Sequence, residues 1–160
     1  MTVYEPELKD FSKEYLVYKE NVGPYWEMAP AIEETYEWGK KHPEMVSGPL
    51  MILFCDNPRE VAPENCRARI CFPVRDGEER AEGFQTMEIE KSKAVSLIYE
   101  GTYASLEKVQ AYKVLYNWLK KHPEYELKEK FLIERYLNSP EDTPEEKLKT
   151  EIILLVKKKD

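Results

Sequence analysis

The chain has 160 residues, 42% of them apolar and 34% charged, which suits one globular domain with a sizeable core and excludes a disordered chain. No apolar run approaches the ~18 residues of a membrane span, and the acidic, mixed start MTVYEPELKDFSKEY is unlike a secretory signal, so a cytoplasmic location is expected. The formal net charge is −7, with 31 acids against 24 bases and one basic cluster, Lys157-Lys158-Lys159; that balance predicts no direct nucleic-acid binding and no membrane partner.

In chain order, Tyr15–Lys19 reads as a strand and a helix follows from about Trp26 to Lys41. Pro30 fits that helix only in its first turn. Leu50–Cys55 and Arg67–Val74 are the next two strands. Arg75–Lys91, with Gly77, Gly83 and five glutamates, is the one plausible linker, with an extra strand around Phe84–Ile89. Ala94–Tyr99 (AVSLIY) is a β-prone run ended by Gly101. The second helix carries Leu106, Val109, Ala111, Tyr112, Leu115, Tyr116, Trp118 and Leu119 on a broad apolar stripe. Lys120, Lys121 and His122 suit its negative end, and Pro123 stops it. Phe131–Leu137 and Thr150–Val156 complete the strands.

The two halves echo each other. Gly23-x-Tyr25 and Gly101-x-Tyr103 open the matching segments, and Trp-x-Lys-Lys-His-Pro-Glu closes both helices, from Trp38 and from Trp118. Pro58 and Pro140 are each followed by a second proline, Pro63 and Pro144. The landmarks repeat at about 80 residues, half the chain. The expected fold is therefore α+β: a single domain over 1–160 made of a duplicated β-α-β-β unit, repeat 1 about 14–75 and repeat 2 about 92–157. Its sheet is mostly antiparallel, with two long helices and pseudo-two-fold symmetry. At a helix end before proline, the twinned histidines read as caps. Cys55, Cys66 and Cys71 contain no C-x-x-C pair and no histidine neighbours, so neither a metal nor a cofactor is expected.

Function should show where the copies differ. Counting back from Pro58 and Pro140 pairs Leu50 with Leu132, Ile52 with Glu134 and Phe54 with Tyr136. Alternate strand residues share a face, so a carboxylate replaces an apolar residue in the middle of an apolar row. Arg135 points to the opposite face and cannot easily neutralise it. An unpaired, dry carboxylate costs several kcal/mol. Three arrangements are open. Glu134 pairs with a Lys or Arg from elsewhere or lies on a wetter face than its neighbours suggest, or it accepts hydrogen bonds from tyrosines at the floor of an aromatic cavity, or it awaits a cation. Tyr25, Trp26, Tyr103 and Tyr136 adjoin the repeat landmarks and are the best candidates to line such a cavity.

Gly101-x-Tyr103, the helix ending at Trp118-Leu119, and Ile133-Glu134-Arg135-Tyr136-Leu137-x-x-Pro140 resemble the GyrI-like effector-binding domain, also found in multidrug-sensing and AraC-type regulators. The resemblance covers roughly residues 14–157. It implies the same duplicated β-α-β-β fold, and it implies that Glu134 lies at the floor of an aromatic pocket that meets lipophilic, often cationic, molecules. No DNA-binding helix-turn-helix precedes the domain, so a stand-alone member is expected. The leading expectation is a binding module for small amphipathic, lipophilic or cationic organic molecules in an aromatic cleft between the repeats, with Glu134 as the buried acidic anchor and Tyr136, Tyr103, Tyr25, Trp26, Ile52 and Phe54 at the site. A second is a hydrolase of cyclopropane-containing compounds, as some GyrI-like proteins are, with Glu134 as general acid or base; no other catalytic residue is assigned. A third is a protein partner, after the family's gyrase inhibitor.

Overall fold

A computed structural model describes residues 3–77 and 80–160. Glu78 and Glu79, two of the five glutamates of the expected linker, lie outside the described residues. The strands are β1 (Glu7–Phe11), β2 (Glu14–Val22), β3 (Met51–Phe54), β4 (Arg67–Val74), β5 (Gln85–Ile89), β6 (Ser92–Glu100), β7 (Tyr125–Tyr136) and β8 (Lys149–Lys158). The helices are α1 (Ala29–Lys41) and α2 (Leu106–Lys121), and single 3₁₀ turns stand at Tyr25–Glu27, Pro63–Asn65 and Glu145–Lys147.

The chain forms two compact units, one of residues 13–90 and one of residues 1–12 with 91–160. In the first unit the strand order is β5-β2-β4-β3; in the second it is β1-β6-β8-β7, and every pairing is antiparallel. The expected linker strand is thus real and forms an edge of the first unit, where Leu16 faces Met87. The N-terminal segment ahead of the expected first repeat is its counterpart. β1 is the edge strand of the second unit, with Leu8 opposite Val95. Each unit takes its outer strand from chain that precedes the other repeat.

Buried apolar strands explain the architecture. Ile152 to Val156 on β8 are all essentially inaccessible, a continuous run of the kind that is covered on both faces. Each such side chain contributes about 1.5–3 kcal/mol on burial. α1 begins as Pro30 requires: the chain turns through Tyr25–Glu27 and places the proline in the helix's first turn. Both helices end as expected. His42 Nδ1 lies 2.9 Å from Trp38 O and His122 Nδ1 2.8 Å from Trp118 O, each ring stacked on the tryptophan that supplies the carbonyl.

The face of α2 differs from its expected stripe. Lys108, Ala111 and Leu115 are its buried residues, whereas Leu106 is 85% exposed and Val109 and Tyr116 are partly exposed. The packed line runs i, i+3, i+7 from a lysine, so the apolar count placed the stripe too wide.

Candidate ligand site

Ser105 fixes the start of α2. Its Oγ accepts the N–H of Lys108 at 3.1 Å and also meets the Tyr99 hydroxyl at 2.5 Å. Gly101, at φ +145°, lets the Tyr99 ring pass; a Cβ there would lie 2.6 Å from its hydroxyl. This cap sets the phase of the helix and turns Lys108 and Tyr112 toward β7.

On β7, Glu134 pairs across to Ile152 and is 0% exposed. Its Oε1 accepts a hydrogen bond from Lys108 Nζ at 2.7 Å and from the Tyr136 hydroxyl at 2.8 Å, and Oε2 accepts the Tyr112 hydroxyl. Two of the arrangements left open by the sequence hold at once: the carboxylate has a lysine partner and tyrosine donors. Burial first, and then the Glu134 charge, push the Tyr136 and Tyr112 phenols well above their ordinary range. Both therefore stay protonated and donate. Tyr103 stands edge-on to Tyr136, ring centroids 5.3 Å apart, and the Lys108 ammonium lies 5.9 Å from the Tyr103 centroid and 6.0 Å from that of Tyr112. The result is a buried ion pair inside three phenol rings.

Arg135 faces the other way, as its place in the strand requires. It donates to Glu151 Oε1 at 3.2 Å, and Glu151 also accepts from Ser96 Oγ at 3.1 Å and from Lys9. That second buried carboxylate has its own set of donors and takes no part in the tyrosine cluster.

The remaining predicted residues lie in the 13–90 unit. Tyr25 stands edge-on to Phe54 at 5.0 Å, repeating the Tyr103–Tyr136 contact, and its hydroxyl donates to Arg67 O at 2.7 Å. Burial raises its phenol to about 12. Ile52 is buried opposite Ile70. Trp26 is 74% exposed and joins none of these contacts. A hollow of about 220 Å³ in the same unit, beside Tyr15, Met87, Asp76 and Glu88, includes none of the predicted residues. Lys108 and Tyr112 were not among the expected site residues. The spacing 108, 111, 112, 115 on one helix face could have shown them, because a lysine in a buried helical line demands a carboxylate.

Burial raises the thiols of all three cysteines, and none is bridged. Among the described residues no group of three His, Cys, Asp or Glu is placed to hold a metal ion, and no helix is long and apolar enough to cross a membrane.

Two β-α-β-β units, each with a tyrosine edge-on to an aromatic strand residue and one with a buried ionic core, define a duplicated, antiparallel α+β domain. The chain belongs to the GyrI-like small molecule binding domain family, whose model matches residues 4–157. A DNA gyrase inhibitor of Serratia proteamaculans (strain 568) is 36% identical over 70 residues, so the match spans 43% of this chain and 44% of that protein. The C-terminal domain of EcmrR has a TM-score of 0.77 at 23% identity, covering 99% of this chain and 100% of that one. SAV2435, solved bound to tetraphenylphosphonium, has a TM-score of 0.66 at 17% identity, with 96% and 94% covered. A hydrolase from Listeria innocua has a TM-score of 0.68 at 12% identity, with 96% and 92% covered.

Proposed function

We propose that this chain binds small amphipathic, aromatic organic molecules against Tyr103, Tyr112 and Tyr136, with Glu134 as the buried acid that holds the site together. The observation that carries this reading is the concentration of three phenol rings around one fully buried carboxylate. Ring faces supply apolar contact, and the ionic core supplies a fixed polar reference against which a ligand is oriented. SAV2435, with its bound tetraphenylphosphonium, supports the aromatic, lipophilic character of the ligand and not the sign of its charge. Hydrolysis would require Glu134 to reach a substrate, but its side chain is 0% exposed behind Lys108, Tyr112 and Tyr136, which it holds by hydrogen bonds. The geometry therefore favours binding.

Calorimetric titration with neutral aromatic amphiphiles such as 2-naphthamide tests it. Saturable binding is expected, weakened at least tenfold by Tyr103→Ala. Trp26→Ala, at an exposed position, is expected to leave both affinity and stability nearly unchanged, within about 0.5 kcal/mol. Absence of binding, or binding insensitive to Tyr103→Ala, would refute the assignment.

A further inference from the structure

We infer that Lys108 sets the charge selectivity of this site, so that its preferred ligand is an aromatic organic anion, of which a carboxylate is the simplest kind. The inference rests on the tyrosine cluster being the binding site.

Three observations converge. First, the place a ligand cation would take is filled. Lys108 Nζ lies 2.7 Å from Glu134 and about 6 Å from two phenol centroids, the distances at which a bound cation would satisfy both the carboxylate and the rings. The lysine is tethered to the chain, and a free cation must compete with its high local concentration. Second, the carboxylate is the deeper member of the pair: the Glu134 side chain is 0% exposed and that of Lys108 is 9% exposed, so of the two charged residues it is the lysine that has any access from solvent. Third, an ammonium has three donors, and among the described residues Lys108 uses one, on Glu134. The two unused N–H groups of a nearly buried ammonium are best satisfied by an acceptor, and best of all by a charged one. The chain's net charge of −7 does not oppose this at short range, because salt screens charges more than about 8 Å apart.

The other repeat shows that the lysine is not demanded by the fold. Trp38 and Trp118 fix the helix offset, and the position of Lys108 is then held by Met28, which is also buried.

Three naphthalene probes of matched shape test the inference: 2-naphthoate, 2-naphthamide and 2-naphthylmethylammonium. Each is titrated by calorimetry into wild type, Lys108→Met and the double variant Lys108→Met/Glu134→Ile. Wild type is expected to bind the anion at least tenfold more tightly than the cation. Lys108→Met should reverse that order. The double variant, which strands no charge and so remains folded if the single one does not, should bind all three within about threefold. If the amide binds and Tyr103→Ala weakens it, while the cation is preferred or the anion preference survives in the double variant, the site stands and the role of Lys108 is overturned. If none of the three binds wild type, the site assignment fails and the inference falls with it.

Discussion

The two units place the same backbone around opposite chemistries. Gly23 and Gly101 share φ values of 144° and 145°, and each donates its N–H at 2.8 Å to the residue just ahead of the last strand of its repeat, to Cys66 O before β4 and to Leu148 O before β8. Both helices end in the same tryptophan–histidine stack, and both units hold a tyrosine edge-on to an aromatic residue near the end of a strand. Within that shared frame, Lys108, Tyr112, Glu134 and Tyr136 correspond to Met28, Ile32, Ile52 and Phe54, by the helix landmarks at Trp38 and Trp118 and the strand landmarks at Pro58 and Pro140. Four polar positions in one unit are four apolar positions in the other. The scaffold tolerates either set, and the ionic set gives the unit no evident advantage in stability, since a buried pair must first be stripped of water. A polar set with no stability advantage of its own is what the proposed ligand site would require.

The sharpest way to break the comparison is to place the charge where its partners are missing. Ile52→Glu buries a carboxylate among apolar neighbours and is expected to cost about 3–5 kcal/mol in urea unfolding at neutral pH. Adding Met28→Lys should recover part of that loss. If Ile52→Glu alone costs less than about 1 kcal/mol, the two environments are not the opposites described.

The reverse graft has a smaller expected effect. Replacing Lys108, Tyr112, Glu134 and Tyr136 together by Met, Ile, Ile and Phe copies the first unit into the second. Exchange of a buried ionic group for apolar residues of similar volume is commonly neutral or stabilising by about 1–4 kcal/mol. The quadruple variant should therefore unfold at equal or higher urea concentration while losing discrimination between charged probes. A loss of stability instead would mean that the ionic cluster contributes to the fold itself.

Much of this arrangement was legible in the residues, for a physical reason: duplicated landmarks give an internal alignment, and a carboxylate in an apolar row is visible against its own copy. That contrast singles out Glu134 and Tyr136, and the repeated Gly-x-Tyr landmark adds Tyr103. The parts that escaped lack such contrast. β1, Glu7–Phe11, is an edge strand whose sequence ELKDF is mostly charged, as suits an exposed edge, and it carries no apolar run to mark it. Lys108 shares a helical line with Ala111, Tyr112 and Leu115 that calls for a carboxylate, but the one it meets lies 26 residues on, and helix spacing alone does not name it. Leu106 looks like core and is exposed, because the cap at Ser105 sets the phase of α2 and puts Lys108, not Leu106, on the packed side.

The gentlest test uses the phenols that only the ionic unit has at these positions. Tyr112 and Tyr136 hold their protons more tightly when folded than the ordinary phenol value of about 10. Above that pH the unfolded chain loses these protons while the folded chain keeps them. The native state then binds more protons, and stability falls as pH rises. Each group contributes about 1.4 kcal/mol per pH unit in this window. Below pH 10 neither group should affect the slope. Tyr25 sits in the other unit and is raised only to about 12, so it contributes a background that both proteins share. The measurement is the urea midpoint from pH 9 to 11.5 for wild type and for Tyr112→Phe/Tyr136→Phe. Whatever the double variant loses in absolute stability, its alkaline slope should be shallower by nearly two protons. Parallel slopes would mean that the phenols do not depend on Glu134 and burial as described, and would leave the two units more alike than their residues imply.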